Sequence, residues 1–250
     1  MSPMTPFYAR WFGTFFPDTA PEEPLSTCSN CSMVGCTSKE SKDPGPFDPN
    51  LKCCTYFPFL PNFSIATLVH DRNAAGMKLL ESAPVDGVLT PLGLFPDGNR
   101  RFRQSESDDF GRDPKLKCPF LSAGRCQIWN QRPSVCVSYH CLSTQKDIGF
   151  QYWWTHEQLG NQLEWILAHE ILWRIGFTEE ETGAMIEAAQ DGQDENDIDA
   201  CWFEWKGRKA ELFDKIREVA LTITPEELRS LAGDEGLMLS NDLKELRKSF

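Results

Sequence analysis

The cysteines of this chain are concentrated in one part of the sequence, and this constrains the fold more than any other feature. Nine of the ten cysteines lie between Cys28 and Cys141, and only Cys201 lies outside that range. The same region has few long segments of helical or strand periodicity. Metal coordination can hold together a region that does not bury enough apolar surface by itself. We therefore expect these thiols to bind metal.

The spacing of the cysteines is organised. From the N-terminus it reads C-x2-C-x4-C, then an adjacent C-C pair, then C-x7-C-x9-C-x4-C. A C-x2-C pair in a tight turn brings both thiolates to one side, which suits a metal ion. The predicted metal ligands are eight cysteines: Cys28, Cys31, Cys53, Cys54, Cys118, Cys126, Cys136 and Cys141.

Thiolate ligands suit zinc and iron–sulfur clusters and argue against magnesium or calcium. Eight thiolates are enough for two four-coordinate sites, or for one cluster and one structural zinc. In extended backbone, Cys53 and Cys54 would point to opposite faces and serve two metal centres or two corners of one cluster. This pair and the all-thiolate ligand set favour a [4Fe–4S] cluster, alone or beside a zinc, and the sequence leaves zinc without a cluster open.

Disulfides and inert buried thiols are the alternatives to metal binding. The N-terminal sequence has no continuous apolar segment of the kind that directs export. We therefore expect a cytoplasmic location, where disulfides are rare. The organised spacing argues against inert thiols, except at Cys201, which we expect to be an ordinary buried thiol.

The segment CPFLSAGRCQIWNQRPSVCVSYHC resembles the C-terminal signature of the YkgJ-type cysteine-cluster family, which is described as zinc- or iron-chelating. The matching residues are Cys118, Phe120, Leu121, Cys126, Ile128, Trp129, Arg132, Pro133, Cys136 and Cys141. The first signature of that family has two cysteines spaced by two residues and then an adjacent pair. Cys28 and Cys31 match its first half, and Cys53 with Cys54 matches the second.

This resemblance covers about residues 28–150 and implies a metal-binding domain. The chain departs from the family pattern in its spacer, because 21 residues that include Cys36 separate Cys31 from Cys53. Cys36 could therefore replace Cys28 or Cys31 as a ligand. Flagellin lysine methylases have a related cysteine pattern, so the resemblance also allows an iron–sulfur-dependent enzyme that modifies a protein.

The formal net charge of −12 disfavours nucleic acid as a partner, because an acidic surface repels phosphate. The chain has no apolar stretch long enough to span a membrane, so we expect no membrane insertion. A protein partner or substrate is compatible with the sequence, which does not identify one. The short basic patch of Arg100, Arg101 and Arg103 is interpreted as a solvated loop.

The predicted fold is mainly α: a loop-rich, metal-organised cysteine region with a few short strands, followed by a helical C-terminal part. We predict an extended N-terminal arm at residues 1–27, a cysteine-cluster domain at 28–150 and a helical region at 151–250 packed on it. Thr155 with Gln158 predicts one helix start, Gly176 its end, and Thr178 with Glu181 the next helix start. Thr224 and Pro225 predict another start, and a last short helix is expected at 241–249.

The expected function is metal binding through the eight cysteines, and the sequence nominates no catalytic base or nucleophile. Arg132 could donate hydrogen bonds to thiolate sulfurs, or it could be an ordinary surface arginine. His140 lies beside Cys141 and could be a ligand, although a location in solvent or next to the ligands is favoured. Whether there is catalysis is left open.

Overall fold

The computed structural model describes residues 4–23, 31–35, 46–105, 108–140, 142–191 and 195–250. The protein is mainly helical with a few short strands, which confirms the predicted fold class. The helices of the first part are α1 (Pro6–Phe12), α2 (Ser32–Gly35), α3 (Asn62–His70), α4 (Ala74–Glu81), α5 (Gly98–Ser105) and α6 (Ser134–Ser138). Those of the second part are α7 (Lys146–Ile175), α8 (Glu179–Asp191), α9 (Glu195–Ala200), α10 (Lys209–Thr222) and α11 (Pro225–Arg247).

The strands form two small antiparallel sheets. The three-stranded sheet has the order β1 (Leu60–Pro61), β3 (Gly93–Pro96), β2 (Gly87–Thr90), and the hairpin consists of β4 (Leu121–Ser122) and β5 (Arg125–Cys126). Leu94 faces Leu89 on one side and Leu60 on the other, and all three are buried. The sheet is therefore part of the core under the helices.

Helix α7 is the central element, and α6, α10 and α11 pack against it. Leu159, Leu163, Leu167 and Ile171 are all fully buried, and their spacing of four residues forms one stripe along the helix. Gly176 ends α7 with a φ of 116°, as the sequence predicted. The predicted start at Thr155 is wrong: α7 begins nine residues earlier, at Lys146, because Tyr152 and Trp153 are buried in helical conformation.

The other two capping boxes predicted in the second part, at Thr178 and Thr224, are present. Thr178 and Glu181 exchange hydrogen bonds before α8. Thr224 and Glu227 do the same before α11, with Pro225 as the first helical residue. The separate helix expected at 241–249 does not exist, because α11 continues from Pro225 to Arg247 across a kink at Gly233, whose φ is 59°.

The N-terminal segment is not simply extended, because α1 occupies Pro6–Phe12. Its aromatic residues drive this: Tyr8, Trp11 and Phe12 lie on one side and are buried. The indole nitrogen of Trp11 also donates to the carbonyl of Ala220 at 3.0 Å. One hydrophobic core includes residues from all three predicted segments, while the proposed division at residues 27 and 150 stays a prediction.

None of the helices in the described part of the chain combines the length and apolar character needed to cross a membrane.

Candidate metal centre

Five of the predicted ligands line one cavity of about 270 Å³. They come from four separate places in the chain: a turn, the start of a hairpin, β5 and α6. These cysteines are Cys53, Cys54, Cys118, Cys126 and Cys136. The fold therefore brings together thiols that are up to 83 residues apart in sequence.

The other predicted ligands are not placed at this cavity by the structure. Cys31 is described, directly before α2, and does not line the cavity. Cys28 and Cys141 lie outside the described residues, and so does the competing Cys36. Their assignment as ligands stays a prediction.

The turn at residues 51–55 presents Cys53 and Cys54 side by side. The Cys54 amide donates to the carbonyl of Leu51 at 3.0 Å, and the Tyr56 amide donates to that of Cys53 at 3.2 Å. The two thiols are hydrogen-bonded to each other. The expectation of side chains on opposite faces of extended backbone is therefore wrong here, because the chain forms a turn.

The hairpin of β4 and β5 returns Cys126 toward Cys118. Its turn residues Ala123 and Gly124 have φ values of 48° and 72°, the left-handed conformation that a two-residue hairpin turn requires. Leu121 pairs with Cys126 across the hairpin, and the Leu121 amide donates to the Cys118 carbonyl at 3.0 Å. The segment from Cys118 to Cys126 thus contributes two thiols to the cavity.

A buried arginine joins the segment of Cys53 and Cys54 to the segment of Cys118. The Arg100 guanidinium donates to the carbonyls of Thr55 at 3.0 Å and Lys115 at 3.1 Å, and also to that of Leu116. Thr55 follows Cys54, and Leu116 precedes Cys118 by two residues. The Cys118 amide donates directly to the Cys54 carbonyl at 2.7 Å. Arg100 therefore holds together the backbone that carries these cysteines.

The interpretation of Arg100 as part of a solvated loop is wrong, since only 3% of it is exposed. Nothing in the local sequence distinguishes it from Arg101 and Arg103. Its carbonyl partners come from distant parts of the chain, so only the tertiary structure identifies its role.

Helix α6 presents Cys136 through contacts with α7. Glu164 of α7 is buried and accepts from the Ser134 amide at 2.7 Å and from its hydroxyl at 2.9 Å. This carboxylate therefore caps the N-terminus of α6 from outside. Burial raises the pKa of Glu164 to about 7, against the hydrogen bonds from Ser134. Gly160 allows the close approach, because a Cβ there would lie 2.2 Å from Ser134 Oγ.

Arg132 lies at the cavity wall with its guanidinium 3.4 Å from the centre of the Trp129 ring. Its Nε donates to the Trp129 carbonyl at 3.0 Å, so that donor is not directed at a sulfur. The hydrogen bond from Cys53 is the main cause of the lowered pKa of Cys54, and the positive charge of Arg132 adds to it. The same charge opposes the burial that raises the pKa of Cys136. The structure thus supports an electrostatic role for Arg132 beside the thiols.

The thiols differ in how readily they ionise. Burial, together with negative charge on neighbouring thiols, raises the pKa of Cys118 to about 12 and that of Cys136 well above 9.0. A hydrogen bond from Cys53 lowers the pKa of Cys54 to about 7. These thiols would not all be anionic together in an apolar cavity without a compensating cation. A bound metal supplies that charge and deprotonates its thiol ligands.

Among the described residues, no three His, Cys, Asp or Glu side chains are arranged so that they could hold a metal ion. The five thiols surround the cavity without converging on one point. None of the seven described cysteines is in a disulfide, so disulfides do not explain the clustering there. The arrangement is therefore that of a thiol-lined cavity, not of a formed tetrahedral single-ion site.

The remaining cavity wall is mostly aromatic and aliphatic, and it carries one carboxylate. Glu157 of α7 lies there, and burial raises its pKa. Trp129 and Tyr139 are the most exposed rings of the wall, at 49% and 41%. The sequence did not nominate Tyr56, Tyr139 or Glu157, because none stands at a spacing that indicates chemistry.

Two further candidates lie away from the cavity. The His140 ring stacks on Trp153 with 3.9 Å between centroids, and burial lowers the pKa of His140 to about 4. His140 is thus half-buried against an aromatic ring and is not among the residues lining the thiol cavity. Cys201 is buried, as expected, with Sγ 3.6 Å from the Ala184 carbonyl oxygen.

Comparisons of this chain with protein-family models, curated proteins and solved structures gave no match.

Proposed function

We propose that this protein binds an iron–sulfur cluster through the cysteines of the thiol-lined cavity. The observation that supports this is the presence of five thiols from four chain segments around one cavity of about 270 Å³. Cys53, Cys54, Cys118, Cys126 and Cys136 are the candidate ligands described there. Cys28, Cys31 and Cys141 complete the ligand set that we propose from the spacing and the YkgJ-type resemblance.

A cluster fits the arrangement better than a single zinc ion does. The described thiols do not converge on one point, as tetrahedral coordination of one ion requires. A cluster presents several metal atoms at separate corners, so its thiolate ligands need not converge. A structural zinc held by the remaining cysteines stays part of the proposal. The bound cluster would supply electron transfer, and the chain's own residues would set its charge environment through Arg132 and Arg100.

Metal, sulfide and absorbance measurements on anaerobically purified protein test this proposal. An iron–sulfur cluster gives a brown protein with broad absorbance at about 400 nm, whereas zinc gives a colourless one. Cys118→Ser and Cys126→Ser should each lower the iron and sulfide content. The matched control is Cys201→Ala, which removes a thiol outside the cavity and should leave both unchanged. Less than one metal per chain, with every thiol reactive, would refute metal binding.

A second candidate is an iron–sulfur-dependent enzyme of a methylase-like kind that modifies a protein. The specific observation is that Tyr56 and Phe110 line the cavity beside the thiols, together with the carboxyl group of Glu157. Binding of S-adenosylmethionine to the metal-loaded protein would support this activity. Absence of binding, with the cluster intact, would favour a protein whose cluster serves storage, sensing or electron transfer.

A further inference from the structure

A second cleft lies next to the thiol-lined cavity and shares two of its residues, Tyr56 and Val135. Its volume is about 460 Å³, and it lies between α7 and the middle of α11. None of the predicted metal ligands lines it. The cleft is therefore a separate feature that the proposed metal binding does not use.

One wall of the cleft is aromatic. Phe59 and Trp165 meet edge to face with 5.4 Å between their centroids, and Tyr56 lies on the side of the thiol cavity. Trp165 is 37% exposed, so part of its ring is accessible. The quadrupole moment of an aromatic ring gives its faces a partial negative charge, which attracts cations.

The polar side chains of the cleft favour the same kind of ligand. Glu235 contributes a carboxylate, Gln158, Asn161 and Gln162 contribute amides, and no Lys, Arg or His is among the described lining residues. Glu164 also lines the cleft, but its carboxyl group already accepts hydrogen bonds from Ser134. The side-chain oxygen of Gln162 is buried and accepts no hydrogen bond from any described residue. A buried acceptor without a donor is unfavourable, and a ligand N–H would satisfy it.

One histidine contacts the aromatic wall of the cleft. His169 packs on Trp165 with 4.6 Å between centroids, and burial lowers the pKa of His169. Burial therefore favours the neutral form of this ring, which does not repel a cation.

We propose that this cleft binds a small organic cation with N–H donors, that is, an alkylguanidinium or alkylammonium group. Phe59 and Trp165 would contact the face of the cation. Glu235 and the Gln162 oxygen would accept its hydrogen bonds, because a planar guanidinium both stacks on rings and pairs with carboxylates. The assignment does not depend on metal binding, since no thiol takes part in it.

The test is calorimetric titration of the full-length protein at neutral pH with n-butylguanidinium and with n-butylurea, its neutral counterpart of similar shape. We expect the cation to bind about 10-fold more tightly than the urea. Equal binding of the two, or no binding of either, would overturn the proposal. Tetramethylammonium, a cation without N–H, should bind about 3-fold more weakly than n-butylguanidinium, and equal binding would overturn the role of the hydrogen-bond acceptors.

Variants locate the site. Trp165→Ala and Glu235→Gln should each weaken binding of n-butylguanidinium about 5-fold. The matched controls are Trp173→Ala, an exposed tryptophan of the same helix, and Asp234→Asn, the neighbouring acid on α11. Neither control residue lines the cleft, so both should bind as the unmodified protein does. Controls that weaken binding as much as the test variants would place the ligand elsewhere.

Metal and sulfide content are measured on the same preparations. If the protein binds the cation but contains no metal, the cation site is supported and the proposed function is refuted. If it contains metal but does not bind the cation, the proposed function is supported and the cation site is refuted. Glu235 is exposed, so its variant should fold even if Trp165→Ala does not.

Discussion

Gly160→Ala should destabilise the protein although it replaces a glycine inside a helix. A Cβ at position 160 would lie 2.2 Å from Ser134 Oγ and 2.3 Å from Ser134 Cβ. Non-bonded carbons approach to about 3.5 Å, so α6 and α7 must separate by more than 1 Å at this point. Ser134 cannot simply rotate away, because its hydroxyl and amide both donate to buried Glu164.

The expected magnitude combines three terms. Overpacking a well-packed contact costs about 1–3 kcal/mol, and weakening the hydrogen bonds to the Glu164 carboxylate adds about 1–2 kcal/mol. Alanine regains about 1 kcal/mol of helix propensity over glycine. The free energy of unfolding should therefore fall by about 1–4 kcal/mol.

Chemical denaturation measures this change, and two variants control it. Gly183 lies within α8, where nothing is within 4 Å of an added Cβ, so Gly183→Ala should stabilise by about 0.5–1 kcal/mol. Adding Ser134→Gly to Gly160→Ala removes the clashing atoms and should recover part of the lost free energy. If Gly160→Ala were as stabilising as Gly183→Ala, the packing argument would be refuted. Because α6 carries Cys136, we also expect Gly160→Ala to lower metal content.

Three other predictions concern Arg100, Glu164 and the capping box at Thr224. Arg100→Met should lower the free energy of unfolding by about 2–4 kcal/mol, because it leaves buried carbonyls without donors. Arg229 is exposed, so Arg229→Met should change the free energy of unfolding by less than about 0.5 kcal/mol. Denaturation curves of both variants measure these changes. The raised pKa of Glu164, about 7 when folded, means that the native state holds an extra proton between the unfolded and folded pKa values. Glu164 therefore contributes about 3 kcal/mol to the free energy of unfolding at pH below about 4.5, and this contribution is lost as pH rises through about 7. The difference in stability between the unmodified protein and Glu164→Gln, followed across this range, should show that slope, and a constant difference would contradict it. Thr224→Ala should lower the unfolding free energy by about 1 kcal/mol through loss of the capping box, measured by thermal denaturation; an unchanged melting temperature would show that the cap is unimportant.

Local patterns in the sequence predicted the helical second part well. The capping boxes at Thr178 and Thr224 and the stop at Gly176 were confirmed, because caps depend on residues three or four apart. The start of α7 and the continuity of α11 were predicted wrongly. Both depend on which side chains the rest of the fold buries, and a cap-like pair such as Thr155 and Gln158 does not carry that information.

The sequence by itself determined that this chain concentrates its thiols and that its second part is helical. Only the tertiary structure decided which thiols share a cavity, since Cys53 and Cys54 meet Cys118, Cys126 and Cys136 through contacts across the chain. It also decided that Arg100 is buried and holds the two chain segments together by donating to their carbonyls. The physical reason is that residue type and spacing specify the donor atoms and local turns, whereas the position of each donor depends on long-range packing such as that of α6 on α7.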